Sequence, residues 1–327
     1  MNLPTFSDVQ AAAQRLSGHV VRTPMLTNPF LDAQVGRQLF FKPECLQLTG
    51  SSKVRGALNR LLCLTPQERA AGVIAWSSGN HAQGIAYAAQ RLGISARIVM
   101  PKDAPLIKRQ HTQAYGATVI PYDRYSEDRE AIAYQLADTD GGIIVPSFDD
   151  PLVIAGQGTV GLELFEDVGG QDIHLDALLV CCSGGGLVAG CALAGEALSP
   201  NTAIFSVEPA DFDDHRRSLQ QGRRERVSEQ RHSLCDALLA PIPGEMTFAI
   251  NQPRLAGGLA VTDAAVKRGM QAAFEHLKVV VEPGGAVGMA AVLEQLLPVS
   301  YERIGVVLSG GNVDPLLFAA IIDAPDE

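Results

Sequence analysis

The sequence predicts an α/β protein of two lobes, each an open, mostly parallel sheet flanked by helices, with a cleft between them. Three observations predict it. Short apolar runs alternate with helical patterns from Gly72 to Val145. A second alternation runs from Ala177 to Leu308. The chain has 327 residues, 46% of them hydrophobic, which is long for one core and natural for two. Strands alternating with helices pair in parallel, and open sheets bind ligands in the crevice beyond the strands' carboxyl ends.

Taken in order, residues 1–20 read as a helix with Val9, Ala12, Ala13 and Leu16 on one face. Leu39–Lys42 is a short strand closed by Pro43. A helix follows Ser52, with Val54, Ala57, Leu58, Leu61 and Leu62 at helical spacing. In the first alternation the strands are Val73–Trp76, Arg97–Met100, Ala117–Ile120 and Ile143–Val145. Its helices are Asn80–Leu92, a segment ending near Tyr115, and a polar one over about Glu127–Ala137. The second block begins near Pro151. Its strands are Ala177–Cys181, Ala203–Val207, Val279–Val281 and Ile304–Leu308, and its helices Leu187–Leu198, Asp263–Phe274 and Gly285–Leu293. Residues 216–231 are polar and read as surface loop and helix.

Bulk properties narrow the function. A formal net charge of −10 without any basic run argues against a nucleic-acid partner. No apolar run approaches the ~18 residues of a membrane span. Six cysteines show no CxxC spacing. The N-terminus lacks a basic-then-apolar leader. Reduced thiols in a cytoplasm are the expected state.

The chemistry gathers at strand-to-helix turns. In TGSSKVRGALN, residues 49–59, the turn and cap residues Thr49 to Ser52 place Lys53 in a helix's first turn. The helix dipole favours negative charge there, so a lysine is out of place as structure. The same field, with an apolar pocket, lowers an amine's pKa, as a Schiff-base lysine needs. A solvated surface lysine is the plainer reading of this stretch alone. Ser183-Gly184-Gly185-Gly186-Leu187 follows a strand and opens a helix. Its free amides and missing side chains suit a phosphate. No GxGxxG pattern or GK[ST] is present, which disfavours dinucleotides and ATP. Ser77-Ser78-Gly79-Asn80-His81 offers donors for a carboxylate, or simply a capped helix. Ser309-Gly310-Gly311-Asn312 puts a hydroxyl at the last strand's end, or simply makes a turn. Together these parts suit an aldehyde cofactor that bears a phosphate, and pyridoxal phosphate fits best.

TGSSKVRGA, SSGNHAQG, AGQGT, SGGGL and LSGGN, in this order and spacing, resemble the serine/threonine dehydratase and serine racemase family of pyridoxal-phosphate enzymes. The resemblance spans Thr23-Pro24 to Asp314. It implies the fold type II, tryptophan synthase β-like architecture. A small lobe at 72–147 would be inserted in a large lobe of 1–71 and 148–327. It implies that Lys53 binds the cofactor's aldehyde and later carries the α-proton. Asn80 would meet the phenolic oxygen, and Gly184, Gly185, Gly186 and Leu187 the phosphate. Ser309 would face the pyridine nitrogen, Ser77, Ser78 and His81 the substrate carboxylate, and Phe148 the cofactor ring. Glu208, Asp214 and the main-chain oxygen of Phe212 match the family's divalent-cation position, where hard oxygen ligands suit Mg²⁺ or Ca²⁺. An ordinary acidic loop is the alternative there. One motif departs. The family usually has Phe before the lysine, and this chain has Ser52.

The expected activity is dehydration of a β-hydroxy amino acid, L-threonine, L-serine or 3-hydroxyaspartate, to a 2-oxo acid and ammonia. A serine at the pyridine nitrogen does not enforce its protonation, so the ring is a weaker electron sink and prompt loss of the β-hydroxyl is favoured. Serine or aspartate racemisation is the second reading, with Ser78 as the acid/base on the opposite face. β-Replacement fits TGSSKVRGA less well. A non-catalytic ligand-binding protein fits least, because every motif is intact. CDALLAPIPGEMTF, from Cys235, differs from the most familiar dehydratases. It suggests a specialised branch acting on hydroxyaspartate or in hydroxyectoine breakdown. No regulatory domain is expected after Asp314, and no isoleucine feedback. A homodimer without nucleic-acid or membrane partners is expected.

Overall fold

The computed structural model describes residues 2–228 and 231–324. Glu229 and Gln230, within the polar 216–231 stretch, and the chain ends lie outside the described residues. Nine strands form two sheets among the described residues. They are β1 (Gln38–Pro43), β2 (Val73–Trp76), β3 (Ala96–Pro101), β4 (Thr118–Tyr122), β5 (Ile143–Ile144), β6 (Ala177–Cys181), β7 (Ala203–Pro209), β8 (Gly257–Val261) and β9 (Arg303–Leu308). The larger sheet has the order β1-β9-β6-β7-β8 and the smaller β4-β3-β2-β5. Every pairing within them is parallel. Helices cover both faces of the larger sheet. Its central strand β6 therefore reads AlaLeuLeuValCys, buried at every position.

The larger lobe's core runs from Val9 and Leu39 through Leu178, Val188 and Val287 to Val306. A second core, from Leu16 and Val54 to Ile85 and Ile98, underlies the smaller sheet. It contains the buried face of the Lys53–Leu62 helix, so the helix that carries Lys53 is also the seam between lobes.

Three expectations are corrected. Val279–Val281 is not a strand. Lys278 turns the chain at φ +58°, Val280 is exposed, and the segment runs extended into Glu282, whose N–H donates to Gly310 O at 3.0 Å. The first helix is shorter than 1–20, spanning Phe6–Leu16 from a Thr5–Asp8 capping box. Ser52 makes no side-chain cap. Its N–H donates to Ser309 O at 2.9 Å, and a Ser51–Gly310 bridge ties the same turn to the loop after β9. The lysine helix is thus hung from the end of the last strand by backbone.

The 19-residue helix Pro151–Gly169 carries no periodic signal, because it is apolar nearly all round and buried. Its glycines let it touch two neighbours. A Cβ at Gly156 would lie 2.6 Å from Arg55 O, and one at Gly158 2.9 Å from Gly190 O. Below the lysine helix, Arg55 pairs with Glu44 and Glu163 at 2.7 Å each, and Lys42 reaches Glu163 at 2.7 Å. These side chains are almost wholly buried, so removing one partner would strand a charge and cost about 3–5 kcal/mol.

Candidate active site

A cleft opens between the lobes, lined by residues of both. It gathers Lys53, Ser77, Ser78, Asn80, His81, Gly184, Gly185, Gly186, Leu187 and Ser309, which are far apart in sequence. Each sits at or just beyond the carboxyl end of β2, β6 or β9, or at the start of a helix packed there.

Lys53 is the first residue of its helix, and its Nζ donates to Ser147 O at 3.0 Å. Desolvation lowers its pKa, with Cys181, Cys182 and Glu282 pulling the other way. A buried amine with no carboxylate partner is poised to lose its proton and attack a carbonyl.

The glycine turn is a cradle. Gly185 has φ +95°, a conformation glycine takes freely, and opens the helix Gly186–Leu198. The first-turn amides of Gly186, Leu187 and Val188 have no helical acceptor, the arrangement that suits an anion. A Cβ at Gly184 would lie 2.3 Å from the Phe148 ring, so the loop is closed to any side chain. Thr247 Oγ1 donates to Gly184 O at 2.6 Å and Asn251 Nδ2 to Gly185 O at 3.3 Å, fixing the loop from outside.

Opposite, the Ser77–Asn80 turn leads into the helix Asn80–Leu92 without a side-chain cap, so the amides of Asn80, His81 and Ala82 are free. Asn80 donates to Glu282 and accepts from Asn312 Nδ2 at 2.9 Å. The His81 ring is turned away, with Nε2 3.0 Å from Val145 O. What His81 can offer an anion is its backbone N–H, not a charge. Burial drives its pKa down to about 3. The folded protein therefore binds fewer protons than the unfolded chain between pH 6.5 and 3, and stability is lost as pH falls through that window. His215, held to about 4 by burial, acts in the same direction. At pH 5 each imidazole should cost about 2 kcal/mol relative to pH 7. His81→Gln should flatten the fall of Tm between pH 7 and 5. An unchanged slope would refute the assignment.

Sequence reasoning missed four charged groups of the cleft. Arg124 pairs with Asp103 at 2.8 Å. Arg129, in the first position of the helix Arg129–Asp140, lines the cleft half-buried and has no ion pair or side-chain hydrogen bond among the described residues. Lys108 and Asp236 meet at 2.8 Å. Arg129 carries the same signal as Lys53, a cation at a helix start where the dipole opposes it. Ser52, standing where the family pattern has an aromatic, is buried against the cleft, whose aromatics are Trp76, Tyr122 and Phe148.

Glu208 and Asp214 lie outside the cleft. Glu208 is fully buried and accepts from His215 N at 2.9 Å and Arg216 N at 2.7 Å. Both carboxylate oxygens of Asp214 are buried without a partner. Desolvation raises Asp214 to about 7, and desolvation with Asp214 beside it raises Glu208 well above the carboxylate range. Two acids in such surroundings fit a hard divalent cation, with Phe212 O as a neutral third oxygen. No group of three or more His, Cys, Asp or Glu side chains gathers for a metal among the described residues.

The fold and the cleft narrow the class: two lobes of parallel sheet, with a desolvated lysine, a glycine turn and a serine-rich turn, each turn opening a helix, brought together in one cleft. Comparison with known proteins gives the family. The family model described as pyridoxal-phosphate dependent enzyme matches residues 16–310. The L-threo-3-hydroxyaspartate ammonia-lyase of Saccharomyces cerevisiae is 42% identical over 327 residues, covering 100% of this chain and 99% of the relative. The serine racemase of Schizosaccharomyces pombe is 41% identical, covering 95% of each. The crystal structure of maize serine racemase superposes with a TM-score of 0.92 at 35% identity, covering 98% of this chain and 97% of that one. The chain belongs to the family of pyridoxal-phosphate-dependent enzymes, with the fold type II architecture. The residues present fit that cofactor, since the lysine, the empty-sided glycine turn and the free helix amides match an aldehyde and a phosphate. No helix among the described residues is long and apolar enough to cross a membrane.

Proposed function

We propose that the protein is an ammonia-lyase that dehydrates a β-hydroxy amino acid to a 2-oxo acid and ammonia, and that 3-hydroxyaspartate is preferred over L-threonine and L-serine. The observation that carries the preference is Arg129, a cation of the cleft without an ion-pair partner among the described residues. A second substrate carboxylate would complete it. The relative from Saccharomyces cerevisiae, a 3-hydroxyaspartate ammonia-lyase, supports the same substrate.

When bound, pyridoxal phosphate supplies an electrophilic carbonyl and an electron sink for the substrate's α-carbon. The chain's residues do the rest. The amides of residues 80–82, with Ser77 and Ser78, hold the α-carboxylate. Gly186 and Leu187 hold the phosphate, and Asn80 and Ser309 meet the ring's polar atoms. Lys53, released as a neutral amine in its desolvated site, takes the α-proton at Nζ. The β-hydroxyl leaves as water, taking up the proton that Lys53 Nζ carries, which leaves the amine neutral again. The unsaturated amine that is released hydrolyses to the 2-oxo acid and ammonia.

A panel of L-serine, L-threonine, D-serine and the 3-hydroxyaspartate stereoisomers, assayed for 2-oxo acid, tests the reading. Rapid release from a 3-hydroxyaspartate isomer is expected. Release from L-threonine alone would refute the preference. Racemisation of serine or aspartate is the second reading. It is favoured by Ser78, a hydroxyl in the same cleft, and chiral analysis of recovered amino acid separates the two.

We also propose that Glu208, Asp214 and Phe212 O bind Mg²⁺ or Ca²⁺, on the strength of the two unpartnered Asp214 oxygens. Adding Mg²⁺ to EDTA-treated protein should raise Tm by about 3 °C, as about 2 kcal/mol of cation binding would. Asp214→Asn should abolish the rise, and an indifferent Tm in the native chain would refute the site. A cytoplasmic homodimer is the expected setting, supported by six free thiols and by exposed Phe30 and Leu316. Sedimentation at a monomer's mass would refute the dimer.

A further inference from the structure

Lys108 lies on the helix Leu106–Ala114, which packs beside the Asn80–Leu92 helix of the smaller sheet's lobe. Its ammonium is nearly buried, 2.8 and 3.1 Å from the two oxygens of Asp236 and 3.0 Å from Glu282 Oε2. Both acids belong to the large lobe. Burial alone would lower the amine's pKa, but Glu282 and Asp236 outweigh it, so the group stays charged. The other Glu282 oxygen accepts from Asn80, which accepts in turn from Asn312. The stem of Lys108 crosses Gly79 so closely that a Cβ there would lie 2.6 Å from its Cδ. One side chain therefore braces the Ser77–Asn80 turn and anchors it to two acids of the facing lobe.

We propose that Lys108, Asp236 and Glu282 form an inter-lobe clasp that sets the carboxylate-binding turn at its working distance from Lys53. Lys108 is a positioning residue, acting through Gly79 and Asn80. One cation between two carboxylates is a poor cement. When the lobes part, water solvates all three ions, so opening costs little. The clasp therefore fixes a geometry more than it adds stability. Asp236, whose side chain is 32% exposed against 1% for Glu282, is the end that lets go.

The kinetic test rests on the proposed dehydratase reading; the exchange and absorbance tests do not. Holoenzyme variants Asp236→Asn, Lys108→Met and the double variant are measured for hydrogen exchange over residues 79–82, for absorbance of the lysine-bound cofactor, and for kcat and KM. The expected result for Asp236→Asn is exchange faster by about tenfold, KM raised about tenfold, kcat within about threefold, and unchanged absorbance. The double variant should be no worse than the worse single one, because both remove the same contact. Exchange and KM at native values in Asp236→Asn would overturn the proposal. So would additive effects in the double variant, or a fall in kcat at constant KM. If Lys108→Met fails to fold, Asp236→Asn decides alone, since it alters a partly exposed group. If no substrate is found, exchange and absorbance still decide.

Discussion

Replacing Lys53 with alanine is expected to lower turnover by about 10⁴-fold or more, the loss of a nucleophile and a proton carrier in one side chain. The variant should fold. Lys53 Nζ makes one hydrogen bond, to Ser147 O, and the apolar face of its helix does not involve it. It should also still take up the phosphate, because the amides of Gly186 and Leu187 are untouched. What it should lose is the absorbance of lysine-bound cofactor. Lys53→Arg should be as inactive, since a guanidinium keeps its proton where an amine releases it. Full dehydratase activity in Lys53→Ala would sink the mechanism. Loss of folding would instead assign Lys53 to the lobe seam.

Arg129→Met should separate substrates. A charge-assisted contact to a carboxylate contributes about 1.5–3 kcal/mol, so kcat/KM for 3-hydroxyaspartate should fall about 10–100-fold. L-Serine has no second carboxylate, and its kcat/KM should stay within about threefold. Arg124→Ala is the control, since Asp103 already pairs that cation. Equal losses on both substrates would mean that Arg129 supports the cleft and recognises nothing. No loss on either would return the preference to L-threonine or L-serine.

Both predictions rest on residues of unequal visibility in the sequence. Lys53, the glycine turn and the Ser77–His81 turn are legible because each breaks a local rule: a cation where the dipole opposes it, three consecutive glycines, two serines before a helix. The alternation of apolar strands with helices reveals the two-sheet architecture for the same reason, since period and composition are local properties. The Pro151–Gly169 helix is silent because a helix buried on all sides has no periodicity to read. β8 is silent because Gly257 and Gly258 dilute its apolar run. Glu282, Asp236 and Lys108 are silent for a deeper reason. Their roles depend on partners 128 to 202 positions away, and no spacing in the chain announces such a meeting. Val279–Val281 misleads in the opposite sense. Three valines have strand propensity, but Lys278 at φ +58° turns them off the sheet.

The pairing of β1 with β9 has a consequence for how the protein is made. Gln38 pairs with Arg303 and Pro43 with Leu308, so a strand synthesised early waits for nearly the whole chain to leave the ribosome. At about 5–20 residues per second the delay is roughly 13–50 s. The four strands of the smaller sheet lie between residues 73 and 144 and can pair during that interval. The nascent chain should thus carry one finished lobe and one unfinished one, with the apolar face of β1 uncovered. Because Ser52 is hung from Ser309, Lys53 is set in place only at the last step, and a product truncated before β9 should not assemble the cleft.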